Sequence, residues 1–562
     1  MTYAKIENNF PSRMEWLALI AIFLMVGTVG HDPWRNTEPY TFGIIDYFYA
    51  THTWLVPVNA GLPFLEKPPL YFWTATIFCR LFGSLLPLHD AARLASVLYM
   101  ALTTLFTWKI SQLFFIQHPD RRTLGWISIA LLLGSVGLIR YAHELATDVS
   151  LLSGSTIAFY GMALLACRPE SWRQAGIWIG LGVGVAFMSK GLLVPGILAI
   201  AGLAAWITLP SLHTQKTIKA LAVSLIIAAP FFLVWPTLIY LHSPEMFMEW
   251  FWENNIGRFV GFSVNRLSGA NQPFYFLRIV PWFAFPAFPL ACAAAVMGMR
   301  TEQRNPAYIL PLTISVAGMA VLLISASGRE PYLLPLFPPF ALLAAPVMLR
   351  LPARFLIGWN RAMIVIFTLG SAIVWLAWWN LKQPSGKRPL PWFADFAGQW
   401  LPIGYLPADS QQFAIAIAVI IALLWIISFR FPTRSSLSTA YIWFMGAFAV
   451  WGTISTLLMP WIDETRSYRH VFAQMREAVH HSSHPHAYIG SYNYNESVSP
   501  MFEYFTATPP PAQYGESGNC SFLFAITERN APQPMGPQWH LLWKGTRPLD
   551  EKNEELRLYE NL

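Results

Sequence analysis

The sequence predicts an all-α polytopic membrane domain followed by a small C-terminal α/β domain, on three observations. The 562 residues are 55% hydrophobic and only 12% charged, where soluble domains carry about 25% charged residues. Apolar runs of bilayer-crossing length recur as far as Pro460. Beyond it Glu, Asp, His, Asn and Pro become frequent and no run is long enough to span. The expected domains are therefore a membrane unit over 1–460, with a first external loop and its surface helices over 31–90, and a soluble unit over 461–562.

Taken in order, the first apolar run, Met14 to Gly30, lacks an Ala-x-Ala-like cleavage site and leads straight into His31-Asp32-Pro33, which fits an uncleaved signal anchor with Lys5 and Arg13 on the cytoplasmic side. Further spans are expected near 91–115, 123–141, 148–167, 174–190, 191–209, 217–241, 278–299, 309–326, 331–350, 361–380, 412–431 and 438–460, thirteen in all. The segment from Pro69 to Leu86 is apolar but interrupted by Cys79-Arg80. Parity assigns it to the membrane surface, because only then do the short loops with Arg121 and Arg122, Arg168 and Arg173, Lys216 and Lys219, Arg350 and Arg354, and Arg430 and Arg434 fall on the cytoplasmic side. Every long polar segment then shares the outer face. In the last unit Arg466 to His480 reads as a helix, and 487–492, 520–526, 539–544 and 555–559 read as strands of a mostly antiparallel sheet. The four cysteines, Cys79, Cys167, Cys292 and Cys520, form no CxxC and are expected to pack in cores.

The stretch from His31 to Trp73 keeps Asp32, Arg35, Glu38, Asp46, Glu66 and Lys67 together among apolar segments. Charges beside a bilayer are costly unless paired, solvated or used, so their clustering predicts a polar cavity at the membrane face. Thr37 is placed to cap a helix beginning Glu38-Pro39 and running to about Thr51. Glu38 then has two readings, a stabiliser of the helix terminus or one of a pair of acids in the site. Glu66-Lys67-Pro68-Pro69 is stiff, since two prolines restrict both themselves and the preceding residue. That stiffness suits either a Lys67 held as a phosphate ligand or one snorkelling to headgroups.

A second cluster runs from Arg140 to Asp148, where Asp148 is either a helix-terminal acid or a catalytic one, and His143 and Glu144 are either a surface pair or ligands of a cation. Arg258, Arg266, Arg278 and Arg329 break the positive-inside pattern, and each reads as an interfacial anchor or as a phosphate binder whose fork matches phosphate oxygens. His480, His481, His484 and His486 read as a solvated turn rather than a metal site. No GxGxxG, Walker loop, GxSxG or HExxH supports a nucleotide-dependent or hydrolytic reaction, and no nucleic-acid partner is expected.

Several motifs together resemble a known family. They are Trp54-Leu55-Val56-Pro57, the run Leu62 to Trp73 with Glu66-Lys67-Pro68-Pro69 at its centre, Ala91-Ala92-Arg93-Leu94, Thr147-Asp148, Met188-Ser189-Lys190-Gly191 and Tyr332-Leu333-Leu334-Pro335-Leu336-Phe337-Pro338. Their order through roughly residues 14–350 resembles the bacterial aminoarabinose (lipid A) transferase and protein O-mannosyltransferase branch of the GT-C glycosyltransferases. The resemblance implies a multi-pass protein of the bacterial inner membrane, with its active site and C-terminal domain in the periplasm. It also implies a polyprenyl (undecaprenyl) phosphate sugar donor and a lipid A, glycan or protein acceptor.

Carried over by motif, Lys67 would hold the lipid phosphate, Asp148 would be a catalytic acid, and Glu66 would line the pocket and touch a divalent metal if one is used. Arg258 and Arg329 are further phosphate candidates, Thr37 and Tyr332 pocket residues. The family's Asp-Glu pair at the start of the first surface helix is here Thr37-Glu38, so the expected aspartate is missing. Glu38 or Asp32 is the expected substitute, the alternatives being a weak base or an inactive protein. A protein O-glycosyltransferase, a non-catalytic binder of lipid-linked sugars and a transporter are the alternatives.

Overall fold

The computed structural model describes residues 11–34, 37–264, 269–298, 304–384, 387–402, 404–407, 411–482, 484, 487–509, 520–532, 536–548 and 553–561. Its membrane unit is helical. The chain enters through α1 (Arg13–Met25), whose Ser12 and Glu15 form a reciprocal capping box, and then lays down α2 (Glu38–Thr51). A short antiparallel hairpin, β1 (Val58–Asn59) with β2 (Leu62–Pro63), turns it back. Next come α3 (Leu70–Phe82), α4 (Leu88–Phe114), α5 (Arg121–Leu133), α6 (Val136–Tyr141), α7 (Thr147–Cys167), α8 (Trp172–Lys190), α9 (Leu193–Thr208) and α10 (Gln215–His242). Apolar helices at Pro306–Ile324, Phe337–Arg350, Ala353–Leu381, Gln412–Ser428 and Ser436–Thr453 follow.

Among the described residues seven helices are long and apolar enough to cross a bilayer, or eight if one bent pair counts as a span. That is fewer than the thirteen spans expected, and two of the expected runs are broken within themselves. The run over 123–141 breaks at Gly134-Ser135 into α5 and α6. The run over 278–299 is two helices, Tyr275–Phe283 and Ala287–Gly298, bent by 104°. Hydropathy reports apolarity along a run and is blind to a change of axis within it. The segment assigned to the surface forms α3, only 13 residues long.

Helices α7 and α8 are the tightest pair. A Cβ added to Gly182 would lie 2.2 Å from the Ala158 amide nitrogen, and one on Gly154 would lie 2.6 Å from that of Ala186. Small residues let helix backbones approach in this way. The pair fixes the start of α7 against the end of α8, where Asp148 and Lys190 meet.

The C-terminal unit is a four-stranded sheet of β3 (Ile489–Ser491), β4 (Phe522–Glu528), β5 (Trp539–Gly545) and β6 (Glu554–Asn561) in the order β3-β4-β6-β5. The pairs β4–β6 and β5–β6 are antiparallel, whereas β3–β4 is parallel. Helix Arg469–His480 packs on the sheet through Val471, Phe472, Met475 and Val479. A further helix, Val498–Thr506, was not expected from the sequence. Its Pro500 and its aromatic residues hide a short amphipathic pattern, yet it is the element that meets α2, with Tyr504 packed edge-on against Phe42. The unit is also tied to the first loop through Asp32, which accepts from Ser467 Oγ at 2.6 Å and from Arg469 Nε at 2.8 Å.

Candidate active site

A concentration of charged and polar side chains lines a cavity of about 330 Å³ between the start of α2, the Glu66-Lys67 turn, the α7–α8 ends and the segments around Arg258 and Arg329. It is lined by the polar Thr37, Tyr40, Glu66, Lys67, Asp148, Lys190, Arg258, Arg329 and Tyr332 and by the apolar Leu193, Ile197, Ile200, Val260 and Val321, of which Ile200 and Val260 are also exposed at the surface.

Each charged group is fixed by its local chain. Prolines 68 and 69 precede α3 and hold the Lys67 backbone. The ammonium of Lys67 is buried, donates to the Tyr40 hydroxyl at 2.7 Å and lies 4.8 Å from that ring's centroid. Burial pulls Lys67 below its ordinary pKa, against the opposing charges of Asp148 and Glu66. Burial also raises the Tyr40 phenol far above its usual value, so it stays protonated.

Arg258 follows a π-helix, Glu249–Gly257, in the stretch expected to be a loop. Such helices cluster at functional sites because the wider turn re-aims side chains. The fork of Arg258 grips Glu66, Nη1 to Oε2 at 3.1 Å and Nη2 to Oε1 at 2.6 Å. Burial raises the Glu66 carboxyl, but the charge and hydrogen bonds of Arg258, with Lys67 and Arg329 behind them, bring it below the usual carboxylate range.

Lys190 ends α8, at a terminus that favours a cation, and Asp148 begins α7, at one that favours an anion. The two form a direct ion pair, and the ammonium also lies 4.4 Å from the Tyr332 ring centroid. Gly191 turns the chain at φ 83°, and the next amide, Leu192 N–H, donates to Asn255 Oδ1 at 3.1 Å. Arg329 is half-buried, and among the described residues its guanidinium makes no hydrogen bond or ion pair. Four cations and two carboxylates thus line the cavity, leaving two positive charges in excess.

Lys67, Glu66, Asp148, Arg258, Arg329, Thr37 and Tyr332 are brought together as the sequence predicts. Glu38 and Asp32 are not among the residues lining this cavity. Glu38 is fully buried and takes Arg93 Nε at 2.8 Å, Arg93 Nη2 at 3.3 Å and the Leu145 amide at 3.1 Å. Successive residues on a helix point about 100° apart, so when Thr37 faces the cavity Glu38 faces α4. Thr37 does not cap α2 through its side chain; its hydroxyl donates to the Leu145 carbonyl at 3.3 Å. Asp32 turns to the C-terminal unit instead.

A metal does not fit the residues present. Both oxygens of Glu66 are taken by Arg258, and the described residues hold no group of three His, Cys, Asp or Glu side chains able to bind an ion. His143 is buried between the carbonyls of Ile139 and Phe23, and Glu144 pairs with Arg140. Arg278 is exposed and outside the cavity; Arg35, Arg266 and His486 lie outside the described residues. Sequence reasoning passed over Tyr40 and Lys190. Both carried a signal: Tyr40 sits three residues after Thr37 on the same helix face, and Lys190 breaks the positive-inside pattern as Arg258 does.

The chain is similar to known proteins in sequence and in fold. Residues 66–235 match the family model described as dolichyl-phosphate-mannose-protein mannosyltransferase. The undecaprenyl phosphate-alpha-4-amino-4-deoxy-L-arabinose arabinosyl transferase 1 of Sodalis glossinidius is 28% identical over 335 residues, 59% of this chain and 58% of that one. The chain thus spans less than two thirds of that relative's length. The corresponding transferase of Pseudomonas savastanoi pv. phaseolicola is 25% identical over 430 residues, 69% of this chain and 76% of its own. Among solved structures, ArnT from Cupriavidus metallidurans bound to undecaprenyl phosphate superposes with a TM-score of 0.65 at 15% identity, covering 98% of this chain and 99% of that one. Its apo form gives 0.66 at 16% identity over 97% of each. The chain has the GT-C fold, is a multi-pass membrane protein, and resembles the aminoarabinose transferases in sequence.

Proposed function

We propose that this chain is an inverting glycosyltransferase that moves a sugar from an undecaprenyl phosphate donor to lipid A or another glycan of the bacterial envelope. The cavity and the C-terminal unit would then face the periplasm from the inner membrane. The observation that carries this reading is the convergence of Lys67, Lys190, Arg258 and Arg329 in a cavity that apolar residues also line. A lipid-linked phosphate has that shape and that charge distribution.

The charge balance also favours transfer over mere binding. A polyprenyl phosphate sugar is a phosphodiester with one negative charge, and the departing polyprenyl phosphate carries up to two. Two excess positive charges therefore match the leaving group better than the substrate, which is how fixed charges accelerate a reaction. In this reading the acceptor oxygen attacks the anomeric carbon from the face opposite the phosphate. Lys67 and Arg258 hold the leaving phosphate, with Arg329 as a further phosphate contact, and Asp148, oriented by Lys190, positions the acceptor. Glu66 acts through Arg258 by fixing its fork.

A non-catalytic binder is the second reading, favoured by one observation: both carboxylates lining the cavity are already ion-paired. Purified protein in lipid vesicles, given sugar-labelled undecaprenyl phosphate-aminoarabinose and a crude envelope extract, separates the two. Label appearing in an envelope acceptor with release of undecaprenyl phosphate is the expected result. Saturable donor binding with no transferred label would support the binder.

A further inference from the structure

We infer that the Tyr40 hydroxyl donates a hydrogen bond to the phosphate of the lipid, as a neutral ligand seated beside Lys67; the inference rests on the transferase reading above. Tyr40 and Lys67 both line the cavity, and the Lys67 ammonium lies 2.7 Å from the Tyr40 oxygen. An ammonium carries three N–H donors and no lone pair, whereas a phenol both donates and accepts. In that contact the Tyr40 oxygen therefore accepts, and its own proton is left to find a partner elsewhere. Among the described residues it finds none. Glu66 is held by the fork of Arg258 and Asp148 by Lys190, and neither takes a hydrogen bond from Tyr40. The side chain is only 6% exposed, and a buried donor without an acceptor is costly. A phosphate oxygen that reaches Lys67 supplies the missing acceptor.

The chain holds this donor in place. Tyr40 stands in the first turn of α2, whose start is pinned where Glu38 takes Arg93 and the Leu145 amide. Its ring stacks on Phe64, with centroids 5.3 Å and planes 22° apart, and the Phe64 amide is itself bonded to the Pro57 carbonyl at 2.7 Å. With the ring fixed, the hydroxyl proton has only rotation about its own C–O bond left.

The bond between the two residues keeps its direction when the lipid is bound, because a phosphate beside Lys67 adds a negative charge that favours the ammonium against burial. The proton of Tyr40 is shared with the phosphate and not transferred, since burial holds the phenol far above its usual value. A neutral donor also adds something the four cations do not. It asks for a lone pair in one direction, and a hydrogen bond to an ionised acceptor is among the stronger kinds. In the competing role Tyr40 only accepts from Lys67 and never meets the lipid.

The test measures binding of undecaprenyl phosphate and of undecaprenol to wild type, Tyr40→Phe, Lys67→Ala and Tyr40→Phe/Lys67→Ala. Phenylalanine keeps the ring against Phe64 and removes only the oxygen. Tyr40→Phe should weaken undecaprenyl phosphate about 10-fold, as expected for one hydrogen bond to a charged group, and leave undecaprenol unchanged. The same loss should appear when Lys67 is already alanine. If Tyr40 merely seats the ammonium, its loss has no effect in the Lys67→Ala background, and that result overturns the assignment. So does wild-type binding in Tyr40→Phe, or a parallel loss of undecaprenol, which marks damage to the fold instead of a lost phosphate contact. Wild type that prefers neither lipid overturns the transferase reading, and this inference falls with it.

Discussion

Lys67→Ala is expected to lower sugar transfer by about 10²–10³-fold, the effect of removing one preorganised donor to a developing anion. The ammonium is buried, rests on the Tyr40 hydroxyl, and sits on a segment stiffened by Pro68 and Pro69. Burial pulls its pKa below the ordinary value, opposed by the charges of Asp148 and Glu66, and a bound phosphate adds to that opposition. The fold should tolerate the change, because an alanine leaves the two carboxylates paired with Lys190 and Arg258. Thermal unfolding in detergent close to wild type, together with a lost rate, is the expected pair of results. Substantial transfer by Lys67→Ala would remove Lys67 from the phosphate site. Lys67→Arg should recover only part of the rate, since a planar fork cannot occupy the seat of a point charge on the Tyr40 face.

Arg93→Leu should act in the opposite way, through folding. Arg93 is fully buried and places all five of its N–H donors, on Glu38 twice, on Asp90, and on the carbonyls of His31 and Asp32. It joins α2, α4 and the loop between α1 and α2. Removing one member of a buried ion pair leaves the other charge without compensation, a cost of about 3–5 kcal/mol. A large drop in the detergent melting temperature is expected, and it should be partly reversed when Glu38→Leu is added, because an apolar pair of similar volume spares the stranded carboxylate. An unchanged melting temperature in Arg93→Leu would contradict the structural role given to Glu38.

That role marks where sequence reading stopped. The boundaries of α2 at Glu38 and Thr51 and the grouping of Lys67 with Asp148, Arg258, Arg329 and Tyr332 were visible as motifs, because apolar periodicity and misplaced cations survive in one dimension. The direction in which a single side chain leaves its helix does not. Thr37 and Glu38 are adjacent in the chain but serve a cavity and a buried strut respectively. Asp32 looked like a neighbour of the site, yet its partners Ser467 and Arg469 lie more than four hundred residues further along the chain. The metal suggested for Glu66 gave way to Arg258, whose fork holds both carboxylate oxygens, while among the described residues no group of three His, Cys, Asp or Glu side chains stands ready to complete an ion site.

The claim beneath all of this is that the cavity recognises a phosphate on a long apolar chain. Binding of undecaprenyl phosphate and of undecaprenol to the same purified protein, and to Lys67→Ala/Arg258→Ala, measures it directly. Undecaprenyl phosphate should bind wild type well, undecaprenol should bind far more weakly, and the double variant should lose the difference. Equal binding of the two lipids by wild type, or a preference that survives in the double variant, would contradict the account.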